Sequence, residues 1–118
     1  MKFNDLQDLV LDWAKNKDLL HEENAEKQFM KFIEEVFEFK SEMDNITNTK
    51  GDGDFYNDCI EEYNKKARLE MGDIFVTLII LCKQLNIDPT NCLEMAYKKI
   101  SKRKGKTIDG VFIKEEDL

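Results

Sequence analysis

Apolar side chains recur along this chain at the spacing of helices rather than strands. Phe3, Leu6, Val10 and Trp13 lie three or four residues apart, which puts them on one face of a helix from about residue 3 to the high teens. A second helix is expected to open near Ala25. It carries Phe29, Phe32, Ile33, Val36, Phe37 and Met43 as a broad apolar stripe, with glutamates on the other side. Residues 44–55 are rich in Asn, Asp, Thr and Gly, whose side chains or backbone freedom favour turns, so this stretch reads as a loop. From about Asn57 the helical pattern resumes and runs to Asn86. Residues 74–82 within it are apolar on every side, as expected of a helix at the centre of a core. Their β-branched members would also suit a strand, but the helix-forming flanks and the length of the segment favour helix. Asp88 before Pro89 supplies an N-cap and a first helical position for a last helix ending near Lys104 and Gly105. Residues 107–114 are expected to form a short extended or hairpin tail.

Composition supports an all-α fold. One proline and five glycines in 118 residues leave long stretches free to be helical, and 36% of the residues are charged, many of them the helix-favouring Glu and Lys. The 42% hydrophobic content suffices for one modest core, so a single domain over 1–118 is expected. A formal charge of −7 argues against stable nucleic-acid binding, which rewards concentrated positive surface. A small anionic ligand would need a metal ion. Cys59, Cys82 and Cys92 are odd in number and contain no C-x-x-C pair, which suggests neither a disulfide framework nor a structural zinc site and fits a reducing cytoplasm. The chain opens without an apolar signal core, and its longest apolar run is too short to span a bilayer, so no membrane partner is expected.

Two acidic clusters carry the candidate chemistry: Glu34, Glu35 and Glu38 on the second helix, and Glu70 with Asp73 on the third. Each holds an i, i+3 pair. At about 100° per residue such a pair sits roughly 60° apart on one helix face, near enough for both carboxylates to reach one ion. Taken alone, the first cluster could be an ordinary solvated face. Glu70 and Asp73 open the most apolar helix of the chain, where an acid needs a partner and a cation serves. Four acids from two facing helices would form a hard, all-oxygen site suited to Mg²⁺ or Mn²⁺. A di-iron bundle expects Glu-x-x-His on two helices, and the one histidine, His21, follows no glutamate at that spacing. It reads as a surface or loop residue.

Glu34-Glu35-Val36-Phe37-Glu38, followed after a loop by Glu70-Met71-Gly72-Asp73, resembles the E-E-x-x-E and E-x-x-D hallmark of the MazG-like nucleoside triphosphate pyrophosphohydrolases. These all-α enzymes are related to dimeric dUTPases and dCTP pyrophosphatases. The similarity extends over about residues 3 to 105. It implies a four-helix bundle in which Glu35, Glu38, Glu70 and Asp73 coordinate magnesium. It implies, too, attack of water between the α- and β-phosphates of a nucleoside triphosphate and assembly as a dimer or tetramer. Glu34 is then expected to orient or deprotonate the water, or to hold a further ion. Of the basic residues at 98–106, Lys99 and Arg103 are the preferred phosphate contacts, although cations at a helix C-terminus also need no ligand. Lys31 would contact phosphate or pair with Glu34 or Glu35. Trp13, Phe39 and Tyr97 would stack on a base or belong to the core. The alternative to an enzyme is a non-catalytic helical interaction protein.

Overall fold

Two long helices lying antiparallel organise the computed structural model, which describes all of residues 1–118. Helix α1 spans Phe3–Asn16, a single 3₁₀ turn covers Glu22–Asn24, α2 spans Ala25–Asn48 and α3 spans Gly53–Gln84. Helix α4 (Pro89–Ile100) follows, then strands β1 (Gly105–Ile108) and β2 (Val111–Lys114) and a last 3₁₀ turn. The chain divides into two compact units, Met1–Asn86 and Ile87–Leu118.

In the first unit α2 packs along α3, and α1 lies beside the C-terminal half of α3. Two contacts fix the placement of α1. Phe3 meets Phe75 edge-on at 6.0 Å between ring centres, and the buried Gln84 amide donates to the Leu19 carbonyl at 2.7 Å. Helix α1 therefore runs in the same direction as α3. Asp18 takes a left-handed backbone (φ 60°), and Leu19 N–H bonds back to the Ala14 carbonyl, which closes the C-terminus of α1 in the manner of a helix cap. Ala14, Ile79 and Ile80 are the buried apolar residues of this unit. The 74–82 segment is helical as expected, but not buried all round: Phe75 is half exposed.

The expected loop at 44–55 shrinks to four residues. Helix α2 continues to Asn48 because Ile46 still reaches partly buried ground. Lys40 pairs with Asp44 one turn on at 2.7 Å, and Thr49 Oγ1 donates to the Asn45 carbonyl. The reversal itself falls on Gly51 and Gly53, whose φ values of 118° and 82° are ones that glycine adopts without steric cost.

In the second unit Asp88 caps α4 by accepting from Thr90 N–H at 3.1 Å. Helix α4 stops at Ile100, four residues short of the expectation, because Gly105 and Lys104 are claimed by the hairpin. Gly105 pairs with Lys114, and Glu115 N–H donates to the Lys104 carbonyl at 2.8 Å. Asp109 and Gly110, both at positive φ, form the two-residue turn that Asp-Gly favours between antiparallel strands.

Replacing Ile80 with alanine removes a side chain only 3% exposed, and should lower unfolding stability by about 2–4 kcal/mol, measurable by urea denaturation followed by circular dichroism.

Candidate metal centre

Register along the α2–α3 seam decides which acids meet. Gln28 Nε2 donates to the Thr77 carbonyl at 3.3 Å. Glu35 lies seven residues after Gln28, and Glu70 seven residues before Thr77. Two turns along each antiparallel helix therefore bring Glu35 opposite Glu70. Glu38, one turn beyond Glu35, joins them: Glu35, Glu38 and Glu70 each offer a carboxylate oxygen, and these atoms lie within 4.8 Å of one another.

Burial is uneven. Glu35 is 6% exposed, Glu70 is partly buried and Glu38 lies open to solvent. The Oε2 atoms of Glu35 and Glu70 are buried without a hydrogen-bond donor, an arrangement that costs about 1–3 kcal/mol or more for each acceptor left unpaired. The one nearby cation is Lys31, whose Nζ lies 3.3 Å from Glu35 Oε1 and 3.6 Å from Glu34 Oε2. Three converging carboxylates with one ammonium leave an excess of negative charge, which raises proton affinity. Burial, followed by the close approach of the Glu35 and Glu38 carboxyl groups and their repulsion, lifts the Glu70 pKa to about 7. Glu38 is raised as well, chiefly by the close approach of the Glu35 carboxyl. Orphaned buried oxygens in an all-carboxylate set fit a hard divalent cation, which would replace the proton.

Within the same unit, Asp73 and Glu34 do not join this group. Asp73, three residues past Glu70, is rotated roughly 60° around α3, towards α1. It is exposed and lines a groove with Leu6, Leu9, Val10, Trp13 and Val76, and its carboxylate does not join the three. Thus the pair expected to be buried, Glu70 with Asp73, splits. The most buried acid comes instead from the glutamate-rich stretch on α2. Glu34 is more than half exposed and pairs only with Lys31. Lys99 lies in the last turn of α4, whereas Arg103 falls in the link to β1, so they do not share a helix face. Trp13 and Tyr97 are half or more exposed rather than core residues, while Phe39 is partly buried. His21 is a surface residue, bonded through Nε2 to Asp18 at 2.5 Å, and that bond raises its pKa.

Phe39 also walls a groove of about 680 Å³ on α3, with Asn57, Asn64, Arg68 and Met71 among its lining. No residue there stood out from the sequence except Phe39. The available signal was their recurrence every three to four residues, which marks one stripe of a helix.

A carboxyl whose pKa is higher in the folded state than its ordinary 4.5 favours folding when protonated. Glu70 therefore contributes stability fully below about pH 4.5, and that contribution is lost as pH rises through about 7. The melting temperature of the metal-free protein should accordingly decline between about pH 5 and about pH 8, and Glu70→Gln should flatten the decline in calorimetric scans. No helix is long and apolar enough to cross a membrane. Comparison with protein-family models, curated proteins and solved structures yields no match, so function must be argued from the geometry of the carboxylates.

Proposed function

We propose that the chain is a magnesium-dependent nucleoside triphosphate pyrophosphohydrolase of the MazG-like type, acting in the cytoplasm on the nucleotide pool. The observation that carries this reading is the convergence of Glu35, Glu38 and Glu70 from two helices, with buried Oε2 atoms on Glu35 and Glu70 that lack donors. A non-catalytic interaction protein would leave its acids as a solvated face, and a glutamate only 6% exposed is poorly explained that way. The ordered E-E-x-x-E and E-x-x-D motifs supply the reaction class.

Glu35, Glu38 and Glu70 would hold the ion, whereas Asp73, turned towards α1, lies outside that ligand set. Magnesium, or manganese in its place, supplies charge inversion towards the polyphosphate and polarisation of the phosphoryl oxygens. Glu34, exposed at the edge of the cluster, accepts a proton from water as its oxygen bonds to the α-phosphorus. The α–β bridging oxygen departs with pyrophosphate, leaving the nucleoside monophosphate. Lys31 neutralises phosphate oxygens. Aromatic groups at Trp13 and Phe39 are the stacking candidates for the base.

Homo-oligomerisation as a dimer or tetramer belongs to the same reading. In the first unit Phe37, Phe55 and Leu69 are 66%, 83% and 62% exposed, a surface that a second copy would cover. Light scattering at micromolar concentration should give twice or four times the chain mass; a monomer would oppose this part of the proposal.

Pyrophosphate release from a panel of ribo- and deoxyribonucleoside triphosphates tests the activity itself. Turnover should require Mg²⁺, and Glu38→Ala or Glu70→Ala should each lower kcat/KM by about 100-fold or more. Absent or metal-independent turnover across the panel would overturn the assignment.

A further inference from the structure

The acidic cluster already contains a cation of its own. Lys31 stands one turn before Glu35 on α2, and its Nζ is shared between Glu35 Oε1 and Glu34 Oε2. A lysine and a glutamate four residues apart are ordinarily a surface pair worth a few tenths of a kcal/mol. This pair differs because its acid is buried: the Glu35 side chain is 8% exposed, whereas that of Lys31 is 50% exposed. One oxygen of Glu35 is thus taken by the ammonium while the other is buried with no donor. No other lysine or arginine forms an ion pair with Glu34, Glu35, Glu38 or Glu70.

We propose that Lys31 is the resident counter-cation of the site, neutralising Glu35 in the absence of a divalent ion and competing with that ion for the same carboxylate. This rests on the reading that Glu35, Glu38 and Glu70 hold a metal. Glu35 carries one negative charge, so the ammonium and the ion draw on the same charge and repel each other across it. Lys31 can yield without repacking the seam, since its long stem is half in solvent and its head is a mobile point charge. Binding of the ion therefore releases an ammonium beside the cluster, where it is free to meet an oxygen of the incoming polyphosphate. Lys31 sets how tightly the ion is held before it contacts substrate, and its two tasks follow one another.

Calorimetric titration of Mn²⁺ into the full chain, without nucleotide, reads this directly. Every variant is titrated in the same buffer at the same pH, so proton competition is common to all. Lys31→Met and Lys31→Gln should bind Mn²⁺ about tenfold more tightly than the parent chain. Their melting temperature in a chelator should fall, and the rise on adding Mn²⁺ should grow. Lys31→Arg, which keeps the charge, should remain near the parent in both measurements. Unchanged or weaker Mn²⁺ binding by both neutral variants, with the parent chain binding normally, would overturn the role of Lys31 and leave the metal site standing. Failure of the parent chain to bind Mn²⁺ would overturn the metal site and the role of Lys31 together.

Discussion

A carboxylate pressed into the seam between two helices loses its water whether or not anything replaces it. Glu35 is in this position, and so is the inner oxygen of Glu70. Apolar packing elsewhere along α2 and α3 has to hold the helices together against that cost. Gln28 and Thr77 keep the register, Ile79 and Ile80 supply buried apolar surface further along, and Lys31 with a proton on the cluster offsets part of the charge. Energetically the site is a weakness in the middle of the pair, and a bound divalent ion would turn it into a cross-link.

Much of this was legible in the chain. The four helices follow from the spacing of residues such as Phe3, Leu6, Val10 and Trp13, and the Asp88-Pro89 start is both encoded and observed. Boundaries were less legible where long-range or cross-strand contacts overrule local preference. Asn45, Thr47 and Asn48 are turn formers by composition, yet they remain helical because Ile46 and the Lys40–Asp44 pair carry α2 onward. Lys102 to Lys104 would extend α4 by propensity, but hairpin pairing takes the backbone from Lys104 on.

The acids show the same division. Spacing alone correctly placed Glu35 with Glu38, because one turn of helix fixes their separation. It could not decide between Glu70 and Asp73, which depends on how α3 is rotated against two neighbours at once. Rotation sends Glu70 to α2 and Asp73 to the groove beside α1. Nor does sequence reveal depth: Glu34 and Glu35 are adjacent letters, and only one of them is buried. The apolar signal at 74–82 was read as a site for buried acids, whereas the buried acid sits among Phe32, Ile33 and Val36 on the partner helix.

The four-residue reversal at 49–52 has a kinetic consequence. A tight connection lets two antiparallel helices pair outward from the turn, and closing so short a link fixes little chain. Pairing of α2 with α3 is itself the step that brings together the carboxylates needing desolvation. Charge repulsion within the cluster is then felt during folding itself, and cations in solution bear on how fast this protein folds as well as on how stable it becomes.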